Sequence, residues 1–178
     1  MRRSVIDVCL YIFEKSGDIL WVLIYVNDAL IVDNNSKLQE KFVSDLSTRF
    51  PVEDKGELTW ILNVAITRDR VACSATLSQA LYIHDLLKKC EGFIGMNTTR
   101  RFTSPLEEGS DISPAQSPAL DSDEYIELAL QRTLFMTVVG GLLWLANMTR
   151  FDVAYAASSL ARVLANPGRP HLRAATRV

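Results

Sequence analysis

Trp21-Val22-Leu23-Ile24-Tyr25-Val26-Asn27-Asp28-Ala29-Leu30-Ile31-Val32 is an apolar run that is interrupted only by Asn27 and Asp28. Runs rich in Val, Ile and Tyr favour β-strands. Asn and Asp favour a tight turn, because their side chains bond the nearby backbone and tolerate left-handed conformations. The stretch therefore predicts a β-hairpin with a carboxylate at its tip. A plain turn without chemistry explains the same residues, and it is the commoner case for an isolated Asn-Asp pair.

The residues on either side of this stretch extend the expected sheet and add a helix. Residues 8–13 form a further short apolar run, which a turn cluster at 14–18 joins to the run at 19–26. Ser36 followed by Gln39 is a capping-box signal, and Pro51 is expected to end the helix. We therefore expect the hairpin over 19–33 to pack against an amphipathic helix near 37–50.

The composition is typical of a globular protein, with 48% hydrophobic and 22% charged residues among 178. This length fits one ordinary domain or two small ones. The formal net charge of -2 does not provide the basic surface that is common in proteins that bind phosphate backbones. Local basic groups are present, and a solvated surface is the commoner explanation for each: Lys88-Lys89, Arg100-Arg101, and Arg169 with Arg173 and Arg177.

Cysteine and histidine are too few and too scattered for a metal or disulfide framework. There are three cysteines and two histidines, without zinc-like spacing. The N-terminal residues do not resemble a signal peptide. The longest apolar runs, 19–26 and 138–146, are shorter than the ~20 residues that a membrane helix needs. We therefore expect an intracellular protein, cytoplasmic or nuclear, with no membrane partner.

Tyr25-Val26-Asn27-Asp28, followed by Ala29-Leu30-Ile31, resembles the Tyr-Val-Asp-Asp-x-Leu-Ile signature of copia-type retrotransposon reverse transcriptases. In that family, two aspartates on a palm-domain hairpin and a third from an earlier strand hold two magnesium ions. Asn27 replaces the first aspartate of the pair, and Asp28 matches the second. The resemblance implies that both residues occupy catalytic positions and that Asp28 is a metal ligand. Mg²⁺ is the cofactor expected for the family, but here only one anionic ligand of the pair remains.

A second landmark resembles the primer grip of the same family. The segment 56–66 is similar to Gly-Glu-Leu-x-x-Phe-Leu-Gly-x-x-Ile, with Ile61 and Asn63 in place of the aromatic residue and the second glycine. The resemblance implies that Leu62 and Asn63 belong to the primer grip. We expect a strand over 56–66 and a returning arm over 71–77. An edge hairpin packed on the palm, without a grip function, is an equally good interpretation.

Further landmarks follow in the order of the family. Leu77-Ser78-Gln79 with Tyr82-Ile83 resembles the start of the first thumb helix, in which Lys88 and Lys89 become candidates for nucleic-acid binding. His84 is expected to be exposed on this helix. Pro-containing residues 97–123 predict a loop or linker, and they include a Ser-Thr-Pro-Leu-like segment at 103–106.

The last part of the chain is predicted to be helical. Tyr125–Met148 contains Gly140-Gly141, a pair that lets a neighbouring backbone approach closely. The segment 149–156 resembles the family's Thr-Arg-Pro-Asp-Ile-x-Tyr-Ala. Thr149 with Asp152 looks like a capping box, and Arg150 with Asp152 is interpreted as a structural pair.

Together these landmarks predict an α+β protein with an antiparallel palm-type sheet followed by a mostly helical region. The resemblance assigns 1–70 to the second half of a palm, 71–96 to the return strand and thumb helix, 97–123 to a linker and 124–178 to the thumb and connection. It implies an RNA-directed DNA polymerase segment that is inactive alone. Its expected partners are an RNA template, a DNA primer, the rest of a retroelement polyprotein and, through exposed apolar surface, a second copy. A polymerase subunit completed by another chain and a non-catalytic RNA- or protein-binding module are the alternatives.

Overall fold

The chain divides into two compact units, residues 1–58 and 59–178, in a computed structural model that describes residues 1–93 and 102–178. Antiparallel sheets and helices are both present, so the predicted α+β class is confirmed. The Arg100-Arg101 pair and the first residues of the predicted linker lie outside the described residues. The assignment of segments to palm, thumb and linker is not tested by this division and stays a prediction.

The first unit is a four-stranded antiparallel sheet followed by one helix, α1. Its strands are neighbours in chain order, and α1 contacts the last of them. Leu20 and Val22, which alternate along one strand and therefore point to the same face, are each 2% exposed. The hairpin predicted over 19–33 and the helix beside it are confirmed. The elements are β1 Arg2–Arg3, β2 Leu10–Lys15, β3 Asp18–Tyr25, β4 Asp28–Asp33 and α1 Ser36–Ser47.

Two adjacent asparagines fix the start of α1. The Asn35 side chain accepts a hydrogen bond from the Lys37 backbone N–H and donates one to Asp18. Asn34 accepts a bond from the Ile19 N–H and donates to the Gly17 carbonyl. The capping box predicted at Ser36 is therefore wrong by one residue, because Asn35 is the cap. This arrangement ties the helix start to the turn between β2 and β3.

The second unit begins with a three-stranded antiparallel sheet. The continuous strand predicted over 56–66 is wrong, because Leu62 and Asn63 form a turn within it. The returning arm is confirmed at residues 74–78, which pair with the strand that follows the turn. The strands are β5 Trp60–Ile61, β6 Val64–Asp69 and β7 Ser74–Ser78.

The rest of the second unit is built around one long helix, α4. It contacts four other helices, and five of its eight buried residues belong to the unit's core cluster. By length and composition it is the one helix of the described residues that could cross a membrane, yet its buried side is what a core helix of a globular unit presents. Ile112, in the predicted linker, is also part of this core. The helices are α2 Ala80–Lys89, α3 Asp123–Glu127, α4 Ala129–Met148, α5 Ala154–Ala161 and α6 Arg169–Ala175, with 3-10 turns at Pro114–Gln116 and Phe151–Val153.

The two adjacent glycines of α4 have different surroundings. A Cβ built on Gly141 would overlap the Leu86 side chain, whereas a Cβ on Gly140 would meet nothing within 4 Å. The close neighbour that the glycine pair predicts is therefore a side chain of α2 and not a backbone.

We expect Gly140→Ala to stabilise the chain, because alanine is better than glycine by ~0.8–1.0 kcal/mol inside a helix. Gly141→Ala gains the same helix propensity but overfills the contact with Leu86, which costs about 1–3 kcal/mol. Urea unfolding of both variants, followed by circular dichroism, measures the difference. Equal stability of the two variants would contradict the close contact.

Candidate functional site

The hairpin that carries the candidate catalytic residues ends in a two-residue turn. Tyr25 pairs with Asp28, so the residues at the tip are Val26 and Asn27, and Asp28 is the first residue of β4. The prediction of both Asn27 and Asp28 at the tip is therefore wrong by one position. Val26 has a φ of 54°, which is rare for a β-branched residue and costs of order 1–3 kcal/mol. Strained turns of this kind are concentrated at functional sites.

Asn27 and Asp28 are both exposed at this end of the sheet. Other carboxylates of the first unit are used in turns: Asp7 accepts a bond of 2.8 Å from the Cys9 N–H, and Asp18 accepts one of 3.0 Å from the Asn35 side chain. Within residues 1–93 and 102–178, no group of three His, Cys, Asp or Glu residues could hold a metal ion.

These ligands do not fit a two-metal centre. Magnesium takes hard oxygen ligands and is usually bound through carboxylates, but Asn27 provides only a neutral carbonyl oxygen beside the one carboxylate of Asp28. The described residues therefore supply part of the ligand set that the resemblance implies. Mg²⁺ binding stays a prediction for Asp28.

The candidate primer-grip residues form the turn between β5 and β6. Leu62 and Asn63 have φ values of 52° and 63°, which is the signature of the two-residue turn that matches the twist of a hairpin. Asparagine tolerates this left-handed conformation, but leucine does so only at a cost. Glycine at position 63 would be favoured for its backbone freedom, and Asn63 retains the turn. A role of this turn in primer binding stays a prediction.

Lys88 and Lys89 lie side by side in the last turn of α2, and both are exposed. Positive side chains at this end of a helix are favoured by the helix dipole, which is a sufficient structural reason for their presence. His84 is exposed on the same helix, as predicted. The structure thus places each predicted pair of site residues on its own element: Asn27 and Asp28 on the first hairpin, Leu62 and Asn63 on the second, and the lysines on α2.

A buried contact joins two of the landmarks that the sequence singled out. Gln79 is 3% exposed, and its Oε1 accepts a 2.7 Å hydrogen bond from the Thr149 hydroxyl, 70 residues away. The Thr149 backbone N–H donates to the Leu145 carbonyl, so Thr149 is the C-cap of α4, and the predicted capping box with Asp152 is wrong. Sequence reasoning missed the role of Gln79, because no local pattern signals a contact over that distance.

Arg150 and Asp152 form the structural pair that the sequence predicted. The guanidinium donates two hydrogen bonds to the carboxylate, at 2.8 and 2.7 Å. These bonds raise the pKa of Arg150 and lower the pKa of Asp152. The pair is largely exposed, so it shapes the start of the next helix and adds little to stability.

The outer face of the first sheet exposes large apolar side chains. Trp21 and Val32 pair across β3 and β4 and therefore share a face. They are 40% and 49% exposed, and Val26 at the turn is 81% exposed. Apolar patches of this kind mark interaction surfaces, so self-association stays a prediction of this chain.

Comparison with curated proteins identifies relatives over almost the whole chain. A Retrovirus-related Pol polyprotein from transposon RE1 of Arabidopsis thaliana is 34% identical over 99% of this chain and 11% of its own length. The corresponding protein from transposon TNT 1-94 of Nicotiana tabacum is 30% identical over 94% of this chain and 12% of its own length. The chain is related to transposon Pol polyproteins. A Putative transposon Ty5-1 protein of Saccharomyces cerevisiae is 26% identical over 95% of this chain and 50% of its own length.

The relationship covers a small part of each Pol polyprotein. The chain spans 11% and 12% of the two plant relatives and half of the yeast protein. No protein-family model matches it. No solved structure matches it either. A retrotransposon origin is therefore supported over nearly the whole length of the chain.

Proposed function

We propose that this chain is the second half of the palm together with the thumb and connection region of a copia-type reverse transcriptase, an RNA-directed DNA polymerase, and that it does not extend a primer by itself. The observation that carries the proposal is the antiparallel hairpin ending in Tyr25-Val26-Asn27-Asp28, in a chain whose relatives are transposon Pol polyproteins. In this role the partners are an RNA template, a DNA primer and the remainder of a Pol polyprotein. Asp28 is the metal-binding carboxylate, and Leu62 and Asn63 contribute to the primer grip.

The expected inactivity follows from the ligands at the hairpin. Two-metal nucleotidyl transfer needs carboxylates that hold ions roughly 3.5–4 Å apart, so that both the attacking and the leaving oxygen are stabilised. Asp28 supplies one carboxylate, and Asn27 is neutral. Because metal ions stabilise the charge that develops on the transferring phosphate, a site with too few ligands loses activity by orders of magnitude.

A primer-extension assay on an RNA template, with Mg²⁺ or Mn²⁺, tests the proposal. We expect no extension by the purified chain and none by Asn27→Asp, because no third carboxylate joins positions 27 and 28 in a metal-binding group within the part of the chain that the structure describes. Asp28→Asn serves as the matched control at the neighbouring position. Template-dependent extension by the wild-type chain that Asp28→Asn abolishes would contradict the expected inactivity while supporting the polymerase assignment.

Addition of a second chain to the primer-extension assay distinguishes a polymerase segment from a non-catalytic RNA-binding module. A second chain that carries the fingers and the third aspartate of a transposon reverse transcriptase is expected to restore extension with Asn27→Asp, and not with the Asp28→Asn variant. Failure of complementation, together with tight and salt-sensitive RNA binding, would favour a non-catalytic RNA-binding module. In an RNA-binding assay, the double variant Lys88→Gln/Lys89→Gln should bind more weakly than the control double variant Lys37→Gln/Lys41→Gln, whose substitutions lie in α1.

A further inference from the structure

A small polar cavity lies in the second unit, between the segment at 110–114 and helix α5. Its volume is about 280 Å³. Charged and hydroxyl-bearing residues make up much of its lining, among them Asp111, Tyr155, Ser159 and Arg162. None of these residues belongs to the hairpins proposed above to act in polymerisation.

Arg162 supplies a positive charge without a partner. Its guanidinium makes no ion pair or side-chain hydrogen bond within the part of the chain that the structure describes. A planar guanidinium binds carboxylate or phosphate groups through two parallel hydrogen bonds. Arg162 is exposed, so its guanidinium is available to an anionic group that enters the cavity.

Ser159 adds a hydroxyl to the same wall. It lies three residues before Arg162, so the two side chains are neighbours on one side of the helix. Ser159 is only 4% exposed, and its hydroxyl has no hydrogen-bond partner among the described residues. Its oxygen is not among the fully buried unpaired atoms, so the hydroxyl reaches the cavity and is available to a ligand there.

Asp111 is held on the other side of the cavity with one oxygen free. Its Oδ2 accepts hydrogen bonds from the Ser113 hydroxyl at 3.0 Å and from Gln116 at 3.3 Å. Within the described residues Oδ1 accepts none, and Asp111 forms no ion pair with Arg162. Opposite charges that face one cavity without pairing suit a ligand with an anionic group at one end and hydrogen-bond donors at the other.

Tyr155 provides a flat apolar surface beside these polar groups. It is 78% exposed and also lines an adjoining depression of about 480 Å³. Exposed aromatic rings stack on nucleic-acid bases. Ligand sites usually span ~300–1,000 Å³, and this cavity of about 280 Å³ lies just below that range, so the enclosed part of a ligand is no larger than about one nucleotide.

We propose that this cavity binds a ribonucleoside 5′-monophosphate. The phosphate pairs with Arg162 and accepts a hydrogen bond from Ser159. The ribose 2′- and 3′-hydroxyls donate to the free oxygen of Asp111, and the base stacks on Tyr155.

Isothermal titration calorimetry of the full chain with adenosine monophosphate tests the site. We expect saturable binding of one molecule per chain, weakened about tenfold or more by Arg162→Gln and by Tyr155→Ala. Arg173→Gln removes an exposed charge that does not line the cavity, and it should leave the affinity unchanged. Circular dichroism verifies that each variant is folded. No saturable heat, or equal affinities of Arg162→Gln and Arg173→Gln, would overturn the proposal.

Deoxyadenosine monophosphate and inorganic phosphate test the contributions of the ribose 2′-hydroxyl and of the nucleoside to binding. Deoxyadenosine monophosphate lacks the 2′-hydroxyl and is expected to bind about fivefold or more weakly, and Asp111→Asn should remove this preference. Inorganic phosphate should bind much more weakly than the nucleotide. Phosphate binding as tight as that of the nucleotide would overturn the nucleoside assignment, and equal binding of the two nucleotides would overturn the role of Asp111.

Discussion

Phe135→Ala is expected to lower the free energy of unfolding of the second unit by about 3–5 kcal/mol. Phe135 is 0% exposed and lies on α4, within the core cluster that also contains Leu128, Val139 and Leu160. α4 contacts α2, α3, α5 and α6, so a cavity in its buried face lies in the helix around which the other helices of this unit pack. Because the surrounding side chains collapse only partly into such a cavity, the loss exceeds that of the transferred apolar surface alone.

Phe151→Ala is the matched control for this substitution. Phe151 belongs to the same unit but is 71% exposed, and truncation of an exposed side chain usually changes stability by no more than about 0.5 kcal/mol. Urea unfolding of the full chain, followed by circular dichroism and by tryptophan fluorescence, measures both variants. If the two units unfold separately, only the transition of the second unit should move with Phe135→Ala. A loss of less than about 1 kcal/mol would contradict the central place of Phe135 in the core.

Sequence reasoning succeeded where the determining signals are local. The hairpin over 19–33 follows from two apolar runs that flank a polar pair, and α1 follows from helical spacing between Asn35 and Pro51. The predicted ends of helices were wrong where neighbouring residues have similar capping ability. Asn35 and Ser36 are both good caps, and the structure uses Asn35 because its side chain also reaches Asp18.

The missed turn at Leu62 and Asn63 has a clear physical cause. Two-residue hairpin turns with left-handed residues are usually marked by Asn-Gly or Asp-Gly, and Leu-Asn lacks that signal. An apolar residue in the turn made the surrounding segment resemble one continuous strand. The pairing of β6 with β7 fixes the turn, and that pairing is a property of the folded unit that no single segment shows.

The candidate site was predictable in part. Asp28 and Asn27 came from a resemblance, and the structure places them at one end of an antiparallel hairpin as expected. The contact of Gln79 with Thr149 was beyond prediction, because it joins residues that lie 70 positions apart. A cavity formed by a loop and a helix, such as the one near Arg162, likewise has no signature in the order of the residues.

The stability of the second unit should fall as the pH falls below about 6.5, because of His171. This side chain is 0% exposed. Its Nδ1 accepts a 2.9 Å hydrogen bond from the Gly168 N–H, and its Nε2 lies 3.1 Å from the Ser113 carbonyl, to which it donates in this tautomer. Neutral His171 thus caps the start of α6 through the Gly168 N–H and links this helix to Ser113, 58 residues earlier in the chain.

Burial lowers the pKa of His171 from its ordinary value of 6.5, although the Ser113 carbonyl and the charge of Asp111 act in the opposite direction. A proton on Nδ1 would remove the acceptor for the Gly168 N–H and place a charge in the core. The unfolded chain binds this proton more readily than the folded chain does. The stabilisation is therefore fully present above the unfolded pKa near 6.5, and it is lost as the pH falls from there through the lower folded pKa.

The two histidines of this chain make the test internally controlled, because His84 is exposed and His171 is buried. We expect His171→Gln to be less stable than the wild type at pH 7.5 by about 1–3 kcal/mol, since the backbone groups at 113 and 168 lose well-placed partners. It should also lose the fall in stability between pH 6.5 and 5 that the wild type shows. His84→Gln should retain both the wild-type stability and the wild-type pH dependence. The free energy of unfolding of each variant is measured at several pH values. If the stability of His171→Gln depends on pH as strongly as that of the wild type, carboxylates and not His171 cause the pH dependence.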